Sequence, residues 1–320
     1  MLEKKLNKST SLCKTPFQRF KTELVKNKTL FLMLLPSVIL VFLLSYIPMG
    51  GVILAFKNFK FNLGIFKSPW VGFDNFKFLL DSGKLWSLTY NTLVYNIIFI
   101  VVGIVAKILM AVLIYEMMGK YYKRVLQSVM ILPYFLSWVI IGGLAYNMLN
   151  YEFGTINNML GNLGFERWDV YNQPGAWKYI FTAVTVWHDT GYGMIFYLAA
   201  LTGINPELYE AAYLDGAGLM KRIRYVTIPL ILPTTLILFL LGLSGILKGN
   251  LDMFYQLVGD NTNLFEATDV IDTYVFRNLT TLKDYTVTSA AGLYQNFIGC
   301  VLVITVNAIV KRIDADSALY

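Results

Sequence analysis

Histidine and cysteine are nearly absent from this 320-residue sequence, which has one of the first, His188, and two of the second, Cys13 and Cys300. A single histidine excludes the paired-histidine ligand sets of zinc enzymes. Cys13 lies in a basic tail and Cys300 in the last apolar run, without metal-ligand spacing, so neither a disulfide framework nor a metal site is implied. There is no Gly-x-x-x-x-Gly-Lys-Ser/Thr loop to cradle ATP phosphates. There is no Gly-x-Ser-x-Gly nucleophile elbow, and nothing nominates a catalytic residue. We therefore expect no enzyme activity, no metal and no cofactor on this chain. Charge is scarce as well: 15% of residues are Asp, Glu, Lys or Arg, against about 25% in soluble domains.

What the sequence has instead is apolar residues, 56% of the total, gathered into long runs. A bilayer crossing needs about 20 such residues at a rise of 1.5 Å each. Six spans are expected, at about 30–56, 92–118, 126–149, 177–202, 228–247 and 288–309. In the first, leucine, isoleucine, valine and phenylalanine favour insertion by on the order of 5 kcal/mol, and Pro36 and Pro48 kink it or mark its ends. Its basic leader is too long and its apolar run too extended for a cleaved signal peptide, and no Ala-x-Ala cleavage pattern follows. The expected fold class is all-α: a polytopic membrane protein with six transmembrane helices. Residues 1–29 form a tail, 30–312 the membrane domain and 313–320 a second tail.

The net charge of +7 does not mark a nucleic-acid binder, because the excess sits in the tail from Lys4 to Lys28, directly before an apolar run. Basic clusters also occupy the 119–125 turn, the 203–227 loop and the end at Lys311-Arg312. Six spans put all four on one side, which the positive-inside rule makes the cytoplasm, with both termini there. The opposite side carries 57–91, 150–176 and the acidic 248–287 segment, although the lysines of 57–91 run against the rule.

The 203–227 loop is polar yet reads as helix, turn, helix. Asn205-Pro206 suits a helix start, Glu207 and Glu210 favour its first turn, and Asp215-Gly216 is a turn signal. Glu210-Ala211-Ala212, Asp215-Gly216-Ala217-Gly218 and then Thr227-Ile228-Pro229 resemble the EAA loop of permease subunits in binding-protein-dependent ABC importers. Ser45 to Gly50, Ala55 to Lys57, Ser68 to Phe76, Gln127 to Trp138 and Asp269 to Arg277 are similar to the carbohydrate-uptake branch of that family, whose type I, MetI-like members take complex oligosaccharides. The resemblance implies that this loop is a coupling helix on a cytoplasmic ATPase, with Glu210, Ala211, Ala212, Asp215, Gly216 and Ala217 at the contact. It implies a second homologous permease, ATPase subunits carrying ATP and Mg, an extracytoplasmic solute-binding protein and a bacterial inner-membrane location.

The family resemblance also implies a sugar site on the fourth span and on the helix after the loop. His188 and Tyr192, four residues apart, share a helix face there, with Asp189 beside them and Trp187 as a stacking platform. Ser244, Lys248 and Asn250, near the end of the fifth span, are further candidates for the path or its gate. Lys107 lies inside the second span, where a charge costs about 2.5–3.5 kcal/mol. Its expected role is structural, by pairing with an acid or snorkelling to the cytoplasmic end, with the path as the alternative. An ion-coupled secondary transporter would need an acid relay in the membrane, whereas the spans hold few acids, mainly Asp189 and Glu116. A non-transport sensor or scaffold would need neither a substrate path nor Glu210.

Overall fold

The computed structural model describes residues 23, 24, 26–117 and 119–313, so Cys13, the basic tail before residue 23, Met118 and residues 314–320 lie outside the described part. The chain divides into two units, the first ending at Ile53. In that first unit, helix α1 (Lys28–Val41) runs through Pro36 and is followed by a π turn at Phe42–Tyr46. None of its described residues is buried, so its leucines and isoleucines need lipid or another chain as solvent.

The second unit is built on α2 (Lys84–Glu116), α3 (Lys120–Ile131), α4 (Trp138–Leu149), α5 (Trp177–Thr202), α6 (Pro206–Leu214), α7 (Ile228–Leu243), α8 (Leu251–Val258), α9 (Ile271–Arg277) and α10 (Tyr285–Ile313). No strand occurs among the described residues; Lys57 and Trp70 form one isolated bridge. By length and apolar content, Lys28–Phe56, Lys84–Glu116, Leu219–Leu243 and Tyr285–Arg312 can each cross a membrane. α5 has the length, but Lys178, His188 and Asp189 make it more polar than those four.

The expected third span, 126–149, is not one rod. It breaks between Lys120–Phe135 and Trp138–Leu149 with a bend of 95°. The cause is local. Pro133 lacks a donor and sits in the 3-10 turn Leu132–Phe135. Leu136 is extended, and the Ser137 hydroxyl accepts from the Ile140 amide at 3.5 Å as the cap of a new helix.

α5 lies along α2 with a dry cluster at each end. At one end, Tyr95, Phe181, Trp177 and Phe254 pack with Met253 and Leu264. At the other, which leads into the 203–227 loop, Ala111, Ile114, Met194, Tyr197, Leu201 and Ile231 are buried together. About 24 Å of helix separates Tyr95 from Ala111 on α2, and the wall there is not closed.

The end away from the loop is held by a polar clamp. Asp269, 3% exposed, accepts from Arg277, from the Thr273 hydroxyl at 3.1 Å and pairs with Lys84 at 3.8 Å. The Arg277 guanidinium also lies 3.7 Å over the Phe265 ring. Asp272 accepts from the Gly249 amide at 2.6 Å and from Gln295 at 2.7 Å, and Gln295 donates to the Leu247 carbonyl at 2.6 Å. This ties the segment after α7 to α9 and α10. Burial pushes the Asp272 carboxyl above its ordinary range, and the Gly249 and Gln295 hydrogen bonds and Lys248 pull it part of the way back. A carboxyl raised in the folded state contributes stability at low pH that is lost as pH rises through the raised value. Asp272→Asn keeps an acceptor without the charge. The variant's thermal midpoint is therefore expected to exceed wild type at pH 8, with the two converging below the carboxylate range. A gap that stays constant across that range would contradict the assignment.

Candidate functional site

Between the two dry clusters lies a cavity of about 650 Å³. α2 supplies Ile100, Ile104 and Lys107, α5 supplies His188, Asp189, Tyr192 and Tyr197, and the break at Pro133 supplies Tyr134, Leu136 and Trp138. The break puts Tyr134 and Trp138 on two helical pieces set at 95°, and both line the cavity with α5. Tyr134 stacks on Tyr192 with centroids 4.3 Å apart and planes within 8°. Trp138 covers His188 at 4.4 Å. The His188 Nδ1 to Asp189 Oδ1 distance is 2.6 Å; a carboxylate only accepts, so Nδ1 carries the proton. Apolar walls with a few convergent polar groups are the usual make-up of a small-molecule site.

Close helix approach makes this wall. A Cβ on Gly191 would overlap the Met130 carbonyl and the Ile131 amide, so only glycine lets α5 meet the end of α3 just before the break. A Cβ on Gly193 would overlap the stem of Lys107.

Of the residues nominated from sequence, His188, Tyr192, Asp189 and Asn250 line this cavity. Trp187 does not: it is about half exposed and absent from the lining, because the next residue along a helix points about 100° away. The aromatic faces on the cavity wall are those of Tyr134, Trp138 and Tyr192. Ser244 and Lys248 line a separate cavity of about 240 Å³ with Gln295, Asn296 and Cys300, between the end of α7 and α10. Lys107 faces the large cavity, and among the described residues no carboxylate lies within 4.0 Å of it, so the expected pairing partner is not there. Tyr134 and Trp138 were not nominated from sequence; Pro133 and Ser137 inside an apolar run were the available signal.

The second candidate surface is α6. Asn205 caps it, accepting from the Glu207 amide at 3.1 Å, and Glu207 lies in its first turn. Asp215 closes it and Gly216 turns the chain at φ +72°. Tyr209 bonds Thr227 at 3.1 Å, fastening α6 to the start of the next span. Glu210, Ala211, Asp215 and Gly216 are exposed, Ala212 and Ala217 are half-buried, and Tyr213, Leu214 and Met220 present apolar surface outward. A shallow pocket of about 400 Å³ is lined by Tyr209, Glu210, Tyr213, Leu214 and Arg222.

Apolar helices around an aromatic and polar cavity, with a short helix presented from a loop between spans, define a multi-pass membrane permease. Residues 103–315 match the family described as binding-protein-dependent transport system inner membrane component, and the chain belongs to it. That is the family the Glu210 to Pro229 pattern resembled. Over 293 residues the chain is 31% identical to Protein LplB of Bacillus subtilis strain 168, covering 92% of each. Over 299 residues it is 30% identical to the polygalacturonan/rhamnogalacturonan transport system permease protein YteP of the same organism, covering 93% of this chain and 92% of YteP. Among solved structures it is similar to a chain of a bacterial ABC transporter involved in the import of the acidic polysaccharide alginate. The TM-score is 0.84 at 33% identity, over 92% of this chain and 99% of that one. A chain of the alginate transporter in complex with alginate pentasaccharide-bound periplasmic protein gives 0.83 at 32% identity, over 92% and 98%. The chain is a permease subunit of the ABC importer class to which these carbohydrate permeases belong.

Proposed function

We propose that this permease passes oligosaccharides inward through the cavity at the Pro133 break, by alternating access coupled to a separate ATPase through α6. The observation that carries the reading is the set of stacked aromatic faces, Tyr134, Tyr192 and Trp138, beside His188, Asp189 and Asn250, between two dry clusters. Sugar rings have apolar faces and polar edges, and such a wall suits both. The dry clusters are the natural gates, because two packings of one bundle can open either end in turn. A solute-binding protein delivers the sugar outside. A second, homologous permease completes the path. The positive-inside rule supports a cytoplasmic side for the basic segments of this reading, both termini and the α6 loop among them.

ATP and Mg belong on the ATPase subunits in this reading. α6 meets them with Glu210, Ala211, Ala212, Asp215, Gly216 and Ala217, as a short helix laid into a groove. Tyr213, Leu214 and Met220 add the exposed apolar area that such docking would bury.

The test is reconstitution in liposomes with the second permease, the ATPase and sugar-loaded binding protein. Gly216→Val places a β-branched residue at φ +72°, a conformation that costs an L-residue about 1–2 kcal/mol or more. ATP-driven uptake is expected to fall at least tenfold while the protein still inserts. Undiminished uptake would remove α6 from the coupling path. Uptake that follows an ion gradient without ATP would remove the importer mechanism altogether.

A further inference from the structure

Lys107 is a charge inside a membrane helix without a partner. About 14 Å of α2 separates it from Glu116 and about 35 Å from Lys84. Snorkelling would take its ammonium toward the nearer end. The side chain goes the other way: Nζ lies 3.7 Å from where a Gly103 Cβ would stand, one turn back toward Lys84. One glycine clears its course: Gly193 on α5 gives the stem its groove.

The described residues offer Lys107 neither an ion pair nor a hydrogen bond. The acid that shares its cavity, Asp189, is engaged by His188 at 2.6 Å and stands more than 4.0 Å from Nζ. The cavity therefore presents one ammonium that no described carboxylate pairs, beside the Tyr134–Tyr192 stack, while the Asp189 carboxylate of the same cavity is turned to His188. An ammonium that faces a cavity without an ion-pair partner can pair with an anion that arrives with the ligand.

We propose, building on the oligosaccharide reading above, that Lys107 is the specificity-determining residue of the cavity and pairs with an anionic substituent, carboxylate or sulfate, on the passing sugar. The aromatic faces hold the ring and Lys107 reads its charge. A neutral sugar leaves the ammonium unpaired when the cavity closes, and that lost pairing is the basis of rejection. A lysine suits a transit site, since a single flexible ammonium releases its anion more readily than a bidentate arginine fork.

The experiment compares uptake of trigalacturonate, its carboxyl-reduced neutral counterpart and a sulfated galactotriose by the complete importer in liposomes. Wild type, Lys107→Gln and Lys107→Arg are each measured with the same loaded binding protein. Taking the variant-to-wild-type ratio for each sugar cancels the binding protein's own preference. Lys107→Gln is expected to lose at least tenfold on one or both anionic sugars and less than threefold on the neutral one, with Lys107→Arg restoring most of the anionic uptake. Neutral uptake by Lys107→Gln also shows that the variant folds. An equal loss on charged and neutral sugars would assign Lys107 to assembly, against a carboxylate of another subunit, and overturn the proposal. So would unchanged uptake of both anionic sugars. If wild type moves the neutral sugar but neither anionic one, the proposal fails while the oligosaccharide reading stands; if it moves no oligosaccharide with ATP, these three included, that reading fails and takes this proposal with it.

Discussion

Gly191→Leu is expected to leave little or no assembled transporter, and Gly191→Ala to lower its thermal midpoint by several degrees. Helix propensity alone has the opposite sign: alanine is favoured over glycine by about 1 kcal/mol in a helix interior. Packing outweighs it because the Cβ would overlap backbone, the Met130 carbonyl and the Ile131 amide, which cannot rotate aside as a side-chain tip can. Over-filling a tight contact costs typically about 1–3 kcal/mol, and leucine adds three more carbons to the same place. The effect also reaches the site. Moving the end of α3 away from α5 displaces the Pro133 break and separates Tyr134 from Tyr192 and His188. Gly143→Ala is the control, since a Cβ there meets nothing within 4 Å. The measurement is monodisperse yield and thermal midpoint of the detergent-extracted complex. A Gly191→Leu protein with wild-type yield would show that the helices do not meet there.

The second large effect is expected at Asp269. Its side chain is 4% exposed and carries Arg277, Lys84 and Thr273 together. Asp269→Ala leaves the partly buried Arg277 guanidinium, 18% exposed, without its carboxylate, a change expected to cost toward the lower end of the ~3–5 kcal/mol of a broken buried pair. Lys84→Ala is expected to cost about 1 kcal/mol or less, because Lys84 is 38% exposed at 3.8 Å and solvent screens the pair. The segment at stake holds α2, through Asn91 to the Asp269 carbonyl at 3.0 Å and Thr92 to the Ile271 amide at 3.1 Å. Loss of the clamp should therefore expose 265–277 to protease before the spans unfold. Limited proteolysis with a parallel thermal scan reads both; equal behaviour of the two variants would refute the clamp.

The family was legible because its pattern is local. Glu210-Ala211-Ala212, Asp215-Gly216 and Pro229 describe a cap, a helix, a turn and the entry to a span, all set by neighbours in sequence. That His188 and Tyr192 share one wall was also local, since helical period puts residues four apart on one face; their nomination for a sugar site came from the family resemblance. The 95° break in the third span was not read from the sequence, although Pro133 and Ser137 were in view. Apolar content alone cannot tell one crossing from two bent pieces, since both keep their residues out of water.

By itself the sequence determined the medium, the helical class, the loop between spans and the family. Composition and local chemistry are sufficient for these, because a bilayer accepts only backbone that satisfies itself. Tertiary structure alone decided which aromatics face the cavity, Trp138 and Tyr134 rather than Trp187, and which way Lys107 reaches. Those outcomes depend on how each helix is rotated about its axis. That rotation is fixed by contacts remote in sequence, Gly191 on the Met130 carbonyl and Gly193 on the stem of Lys107, where the absence of a side chain lets two helices close.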